Sequence, residues 1–198
     1  MADAHVHHDP NIGTTGLDNR KVGMWIFLGS DCMFFGSLIG TYLSYKGKSL
    51  GGPGPHDVFN IPLTSESAAV LLASSLTMVL ALAALQKSDL KWAGRWLLAT
   101  AILGAHFVLN QVYEFATFVL HDGLTLSTNL FGSSFYTLTG FHGAHVTGGV
   151  IWLMALWWQL KRGRLDARDY TKVEIAGLYW HFVDIVWIAI FTIIYLIP

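Results

Sequence analysis

The amino-acid sequence predicts an all-α, polytopic membrane protein whose five transmembrane helices form one bundle, and three observations carry that expectation. Of 198 residues, 53% are hydrophobic and only 13% are charged, with a mean hydropathy of +0.47, which is too apolar for an ordinary soluble domain. The apolar residues fall into five runs, each able to cross a hydrocarbon layer about 30 Å thick as a helix rising about 1.5 Å per residue. The cations between the runs are sorted by side. Arg20, Lys21, Lys87, Lys91, Arg95, Lys161, Arg162, Arg164, Arg168 and Lys172 fall together, against Lys46 and Lys48 opposite. That asymmetry places the N-terminus in the cytoplasm and, after five crossings, the C-terminus outside.

Taken in order, residues 1–21 read as a polar cytoplasmic tail, and residues 22–198 as the membrane domain. The tail lacks the basic region, short apolar core and small-residue cleavage site of a secretory signal. Its His5, His7 and His8 read as a solvated, weakly metal-attracting segment. The first span, about 22–45, carries Asp31 near its middle beside Phe27, Phe34 and Phe35. A carboxyl at that depth is tolerable only if its face meets protein or water. Gly51 to Pro55 and Pro62 then mark an exposed connection. The second span, about 65–86, has Glu66 in its first turn, where the helix dipole favours a carboxylate.

After the charged connector Lys87 to Arg95, the third span covers about 96–120, with His106, Gln111 and Glu114 on one broad stripe. The fourth, about 134–160, contains Gly140, Gly143, Gly148 and Gly149, residues that let neighbouring backbones approach closely. The fifth, about 173–197, holds His181 and Asp184, which share a helix face at three-residue spacing. Trp180 and Trp187 flank that pair and are expected to pack against another helix or a lipid chain. Trp25, Trp92, Trp96, Trp157, Trp158 and Tyr195 sit near span ends, where amphipathic rings anchor at the interface. No internal repeat or second domain is evident.

The net charge of −1 leaves no basic surface for nucleic acid. The single Cys32 excludes a disulfide framework or a thiolate metal site within this chain, and no catalytic residue stands out. His142 and His145 have a spacing that could place two imidazoles beside a metal, but three or four ligands are usually needed. Hydrogen bonds to Glu114 or to backbone carbonyls between helices account for them without a metal. His181 and Asp184 fit an interhelical hydrogen-bond network or a proton relay; one crossing supplies no continuous chain of groups, which favours the network. By depth, Asp31, His181 and Asp184 fall in the cytoplasmic half or near the midplane, and Glu114, His142 and His145 toward the outer half, giving two clusters. Lys161 and Arg162 are candidates to hold anionic lipid head groups.

Five segments in order resemble one known family. They are Gly-Ser-Asp-Cys-Met-Phe-Phe at Gly29 to Phe35, Leu-Leu-Ala-Ser-Ser at Leu71 to Ser75, Gln111 with Glu114 before Asp122-Gly123, Phe-Tyr-Thr-Leu-Thr-Gly-Phe-His-Gly-Ala-His-Val-Thr-Gly-Gly at Phe135 to Gly149, and Trp-His-Phe-Val-Asp at Trp180 to Asp184. Together they resemble subunit III of the haem-copper terminal oxidases, in the short five-helix bacterial form. The resemblance implies an accessory subunit of the bacterial cytoplasmic membrane that binds no haem or copper itself. Haem and copper would lie in the partner subunits, among oxidase subunits I and II, where oxygen is reduced to water and protons are translocated. It further implies bound structural phospholipid and support of proton uptake, with Asp31 matching a buried acidic position that is commonly Glu in the family. A cytochrome c oxidase, a quinol oxidase and a nitric-oxide-reductase-associated subunit remain open at this point. A small transporter would instead call for an inverted repeat or broken helices, and neither is present.

Overall fold

The structure, a computed structural model, describes residues 18–49 and 59–197. His5, His7 and His8 and the turn expected at Gly51 to Pro55 lie outside the described residues. The described chain is all-helical: α1 (Asn19–Tyr45), α2 (Ile61–Gln86), α3 (Leu90–Leu120), α4 (Leu130–Lys161) and α5 (Tyr170–Phe191), the last continued by one π turn (Thr192–Leu196).

Each helix begins three to six residues ahead of its apolar run, and at the starts of α1 to α4 a polar side chain caps it there. Asp18, Asn60, Asp89 and Asn129 accept hydrogen bonds from first-turn backbone N–H groups of α1 to α4, satisfying donors that a helix start leaves unpaired. The Asp18 carboxyl is held below its usual pKa by the Arg20 side chain first and then by the Arg20 backbone N–H. Pro62 does not end a helix. It lies in the first turn of α2, where its missing N–H removes nothing, and with the start moved to Ile61, Glu66 is no longer a first-turn residue. At its other end α4 closes with the N–H of Gly163, at φ +64°, bonded to Leu160 O and that of Arg164 bonded to Gln159 O, the Schellman arrangement that glycine permits.

Four helices, α2 to α5, close into a ring in which α2 packs on α3 and α5, and α4 on α3 and α5; α1 lies outside the ring against α4 and α5. Lys21 pairs with Glu174 at 2.7 Å, joining the starts of α1 and α5, and Lys46 donates to the Ile197 carbonyl at their far ends. The two helices therefore run in the same direction. At that far end Phe59, Phe118, Phe131, Phe135 and Tyr195 form an aromatic cluster with ring centroids 4.2 to 6.1 Å from Phe59 or 5.7 to 6.2 Å from Phe135.

Trp180 of α5 sits where the ring is tightest. Its side chain is 1% exposed, and its indole N–H donates to Ser74 Oγ of α2 at 2.9 Å. On one side a Cβ placed on Gly104 of α3 would stand 2.4 Å from the ring, and on the other a Cβ on Gly149 of α4 would stand 2.8 Å from it. Two glycines thus form the slot that one indole fills. Gly143 plays a similar part for Gln111, whose amide would lie 2.4 Å from an added Cβ; Gly140 and Gly148 meet no such close neighbour.

Among the described residues, four helices are long and apolar enough to cross a membrane: α1, α2, α3 and the segment 167–196 containing α5. Helix α4 has the length, 32 residues, but its histidines and glycines dilute its apolar character.

Candidate functional site

Among the described residues, the buried carboxyl and imidazole side chains fall into four groups along the bundle. In the first, between α2 and α5, Ser75 Oγ lies 2.9 Å from His181 Nδ1 and donates to the Asp184 carboxylate. Asp184 is 3% exposed. Its second oxygen has no hydrogen-bond partner among the described residues. His181 and Asp184 do share a face, as their spacing predicts, and what joins them is a hydroxyl from the neighbouring helix. The sequence does not mark Ser75 as a polar partner, since a serine in an apolar run carries no sign of what it faces.

In the second, Glu114 of α3 accepts from Thr64 of α2 at 2.8 Å and from Tyr195 beyond α5 at 3.2 Å. Both its oxygens are engaged. Tyr195 is 1% exposed, so it is a core partner of a carboxyl and not an interfacial anchor; the π turn carries it within the aromatic cluster. Gln111, one turn before Glu114, donates to the Thr139 carbonyl of α4 at 2.7 Å. His106 leaves the stripe expected of it. Five residues on an α-helix is about 140° beyond a full turn, and His106 faces outward, with its Nε2 3.1 Å from Glu66 and Asn110 donating to the same carboxylate at 3.0 Å.

The third group joins α1 to α4, with Asp31 Oδ2 3.6 Å from His145 Nε2, while His145 Nδ1 contacts its own helix at Phe141 O, 2.7 Å away. Asp31 therefore belongs with His145, not with His181 and Asp184. Both residues lie near the middle of their helices, where a division by depth has least power to separate them. The fourth is His142 alone. It is fully buried, stacks on Trp187 at 4.9 Å and meets Phe107 edge-on at 5.7 Å, with neither ring nitrogen hydrogen-bonded among the described residues. The expected bonds from both histidines to Glu114 or to carbonyls of other helices are not formed, because Thr64 and Tyr195 occupy Glu114. The two imidazoles turn to different neighbours, and among the described residues no three His, Cys, Asp or Glu side chains converge on a metal position.

At the opposite end of α4, Lys161 lies over the Trp157 ring at 5.8 Å and Arg162 over Trp158 at 4.5 Å. Lys161 borders an open cavity between α3 and α4; Arg162 does not.

Three of these groups tie helix to helix through side-chain contacts, and comparison with known proteins says which family builds such a bundle. The family described as cytochrome c oxidase subunit III matches residues 3–197. The chain belongs to that family. It is 40% identical over 178 residues to the cytochrome c oxidase subunit 3 of Bacillus sp. (strain PS3), covering 90% of this chain and 86% of the relative. It is 38% identical over 197 residues to the cytochrome bo(3) ubiquinol oxidase subunit 3 of Pseudomonas aeruginosa, covering 99% and 94%. It is also 40% identical over 175 residues to the quinol oxidase subunit 3 of Bacillus subtilis (strain 168), covering 88% and 85%. The chain is thus a subunit III of the haem-copper oxidase family, whose relatives carry the names of both cytochrome c and quinol oxidases.

The Ser75, His181 and Asp184 group predicts the outcome of one substitution. Asp184→Leu removes the acceptor of the Ser75 hydroxyl and should cost about 1–3 kcal/mol, read as a lower thermal midpoint and yield of the assembled complex. An unchanged midpoint would show that the group does not hold α2 to α5.

Proposed function

We propose that this chain is the accessory subunit III of a bacterial respiratory oxidase of the cytochrome c oxidase type. It packs against catalytic subunit I, with subunit II in the same complex, and supports reduction of oxygen to water coupled to proton translocation. Residues 22–198 form one membrane domain after a cytoplasmic tail, residues 1–21. All five helices cross the cytoplasmic membrane, α4 included, its His142, His145, Gly143 and Gly149 being accommodated because they face other helices of the bundle. The cation asymmetry of the connectors supports a cytoplasmic N-terminus and an external C-terminus. Haem and copper belong to the partner subunits, and structural phospholipid fills the membrane-facing surface of this one.

One observation carries the reading. Helix α1 buries only Leu28, Asp31, Phe35 and Tyr42 among its 27 residues, so most of its surface is left for a neighbour. Trp25, Ile26 and Met33 are 61%, 70% and 80% exposed, and the one ionisable group of its middle, Asp31, turns inward to His145. A helix so arranged suits a subunit wedged between its own bundle and a larger partner. A quinol oxidase is the second reading, supported by the match to the Pseudomonas aeruginosa relative along 99% of this chain. In either, the Asp31 and His145 pair is placed to tune a local polar path that supports proton uptake.

Purification in mild detergent through a tag on this chain tests the assignment. A reduced-minus-oxidised haem spectrum and copper should accompany the complex and be absent from the chain once dissociated. A chain that purifies alone, without haem-bearing partners, would sink it, and the donor that supports oxygen uptake, cytochrome c or quinol, divides the two readings. For Asp31, the change Asp31→Asn should leave assembly intact while speeding activity loss during sustained turnover or slowing proton uptake; identical kinetics would remove that residue from any proton path.

A further inference from the structure

Glu66 and His106 form an ionisable pair on the outer surface of the bundle. His106 Nε2 stands 3.1 Å from Glu66 Oε1, and the Asn110 amide donates to Glu66 Oε2 and to Ser67 Oγ. The His106 and Glu66 side chains are 46% and 51% exposed, whereas Asp31, Glu114 and Asp184 turn into the bundle. Depth makes that exposure costly. His106 lies near the middle of α3, Leu90–Leu120, a helix long and apolar enough to cross a membrane. An ionisable side chain at that level almost always faces protein or water rather than hydrocarbon.

The surroundings of the pair have the form of a helix-docking face. Along α3, Ile102, His106, Leu109, Tyr113, Ala116 and Leu120 are all exposed, and they recur at alternating steps of four and three residues, the spacing of a seam that receives a second helix. Beside them on α2, Ala69 and Ala73 are exposed, and small side chains let another backbone approach closely within a membrane. Helix α1 does not fill this face, because it packs on α4 and α5, across the ring from α2 and α3.

The charge on the face says what the docked helix carries. Among the described residues, the Glu66 carboxylate has one ion-pair contact, with His106. Residues 1–17 and 50–58 contain no Lys or Arg, and those of α3, Lys91 and Arg95, sit at its start. A second copy of this chain, related by a two-fold axis along the membrane normal, would bring another Glu66 to the same depth and no Lys or Arg with it. The counter-charge must come from a different chain.

We propose that the α2–α3 face docks one membrane-spanning helix of another subunit, with a Lys or Arg side chain of that helix meeting the Glu66 carboxylate. The proposal rests on the membrane placement given above and extends it: this contact is separate from the one made by α1, and Glu66, His106 and Asn110 become the polar centre of an apolar interface. Such a charged hydrogen bond sets which helix docks and at what height.

The test replaces Leu109, on the seam beside the pair, with the photoreactive p-benzoylphenylalanine. Membranes are irradiated, the complex is purified through this chain, and the crosslinked peptides are mapped by mass spectrometry. Crosslinks should enter a membrane-spanning segment of another subunit that holds a Lys or Arg within about one helical turn of the modified residue. Glu66→Lys should then lower the amount of that subunit in the purified complex about tenfold, and changing the mapped cation to Glu should restore it. If Glu66→Lys lowers the yield of this chain itself, Glu66→Gln, which keeps the shape and loses the charge, should still lower the ratio of that subunit to this chain. Crosslinks confined to lipid, or joining two copies of this chain, would overturn the proposal, as would a mapped segment without a cation or full retention of the subunit in both Glu66 variants. The haem spectrum of the same preparation reports separately on the oxidase reading, so a cation-bearing crosslinked helix without haem fails that reading and not this one.

Discussion

The seating of Trp180 between Gly104 and Gly149 is the constraint on which the bundle depends. In a bilayer the lipid chains are as apolar as the helix surfaces, so helices gain little from burying leucine and associate through close contact and shared hydrogen bonds. Trp180 supplies both. Its ring fills a slot that exists only because α3 and α4 each omit a side chain there, and its N–H ties the same point to Ser74 of α2. Four helices meet at one residue, and their relative heights are set by it. The polar pairs on either side then fall into register: Ser75, next to Ser74, meets His181 and Asp184, next along from Trp180.

That arrangement explains why so many ionisable residues survive in an apolar chain. A carboxyl or imidazole within a membrane is costly unless it is paired or faces water, and here Asp184, Glu114 and Asp31 each meet a side chain from another helix. The pairs are distributed, each joining a different set of helices. They work as ties that fix which helix contacts which. His142 differs, being held by the faces and edges of Trp187, Phe107 and Phe35.

Much of this was legible in the residues. The five helices follow from five apolar runs, and α1 to α4 start ahead of theirs because capping residues such as Asn60 and Asp89 lie outside the hydrophobic pattern that marks a run. The shared face of His181 and Asp184 follows from helical spacing. What could not be read is partnership across helices. No local feature distinguishes Ser75 from the other hydroxyls of α2, and Tyr195, a ring near a chain end, has the sequence position of an interfacial anchor until the π turn brings it to Glu114. Depth alone sets Asp31 beside His181, but depth along a helix says nothing about which neighbour a side chain faces, and Asp31 faces His145.

The measurement that bears most directly on this account is a double-mutant cycle between Gly104→Ala and Trp180→Phe, with the thermal stability of the assembled complex as readout. The added methyl alone should destabilise by about 1–3 kcal/mol through overpacking. In the Trp180→Phe background, where the smaller ring vacates part of the slot, it should cost less, giving a coupling energy above about 0.5 kcal/mol. Additive effects would mean that the indole and the glycine do not hold each other in place, and would contradict the claim that this contact sets the bundle.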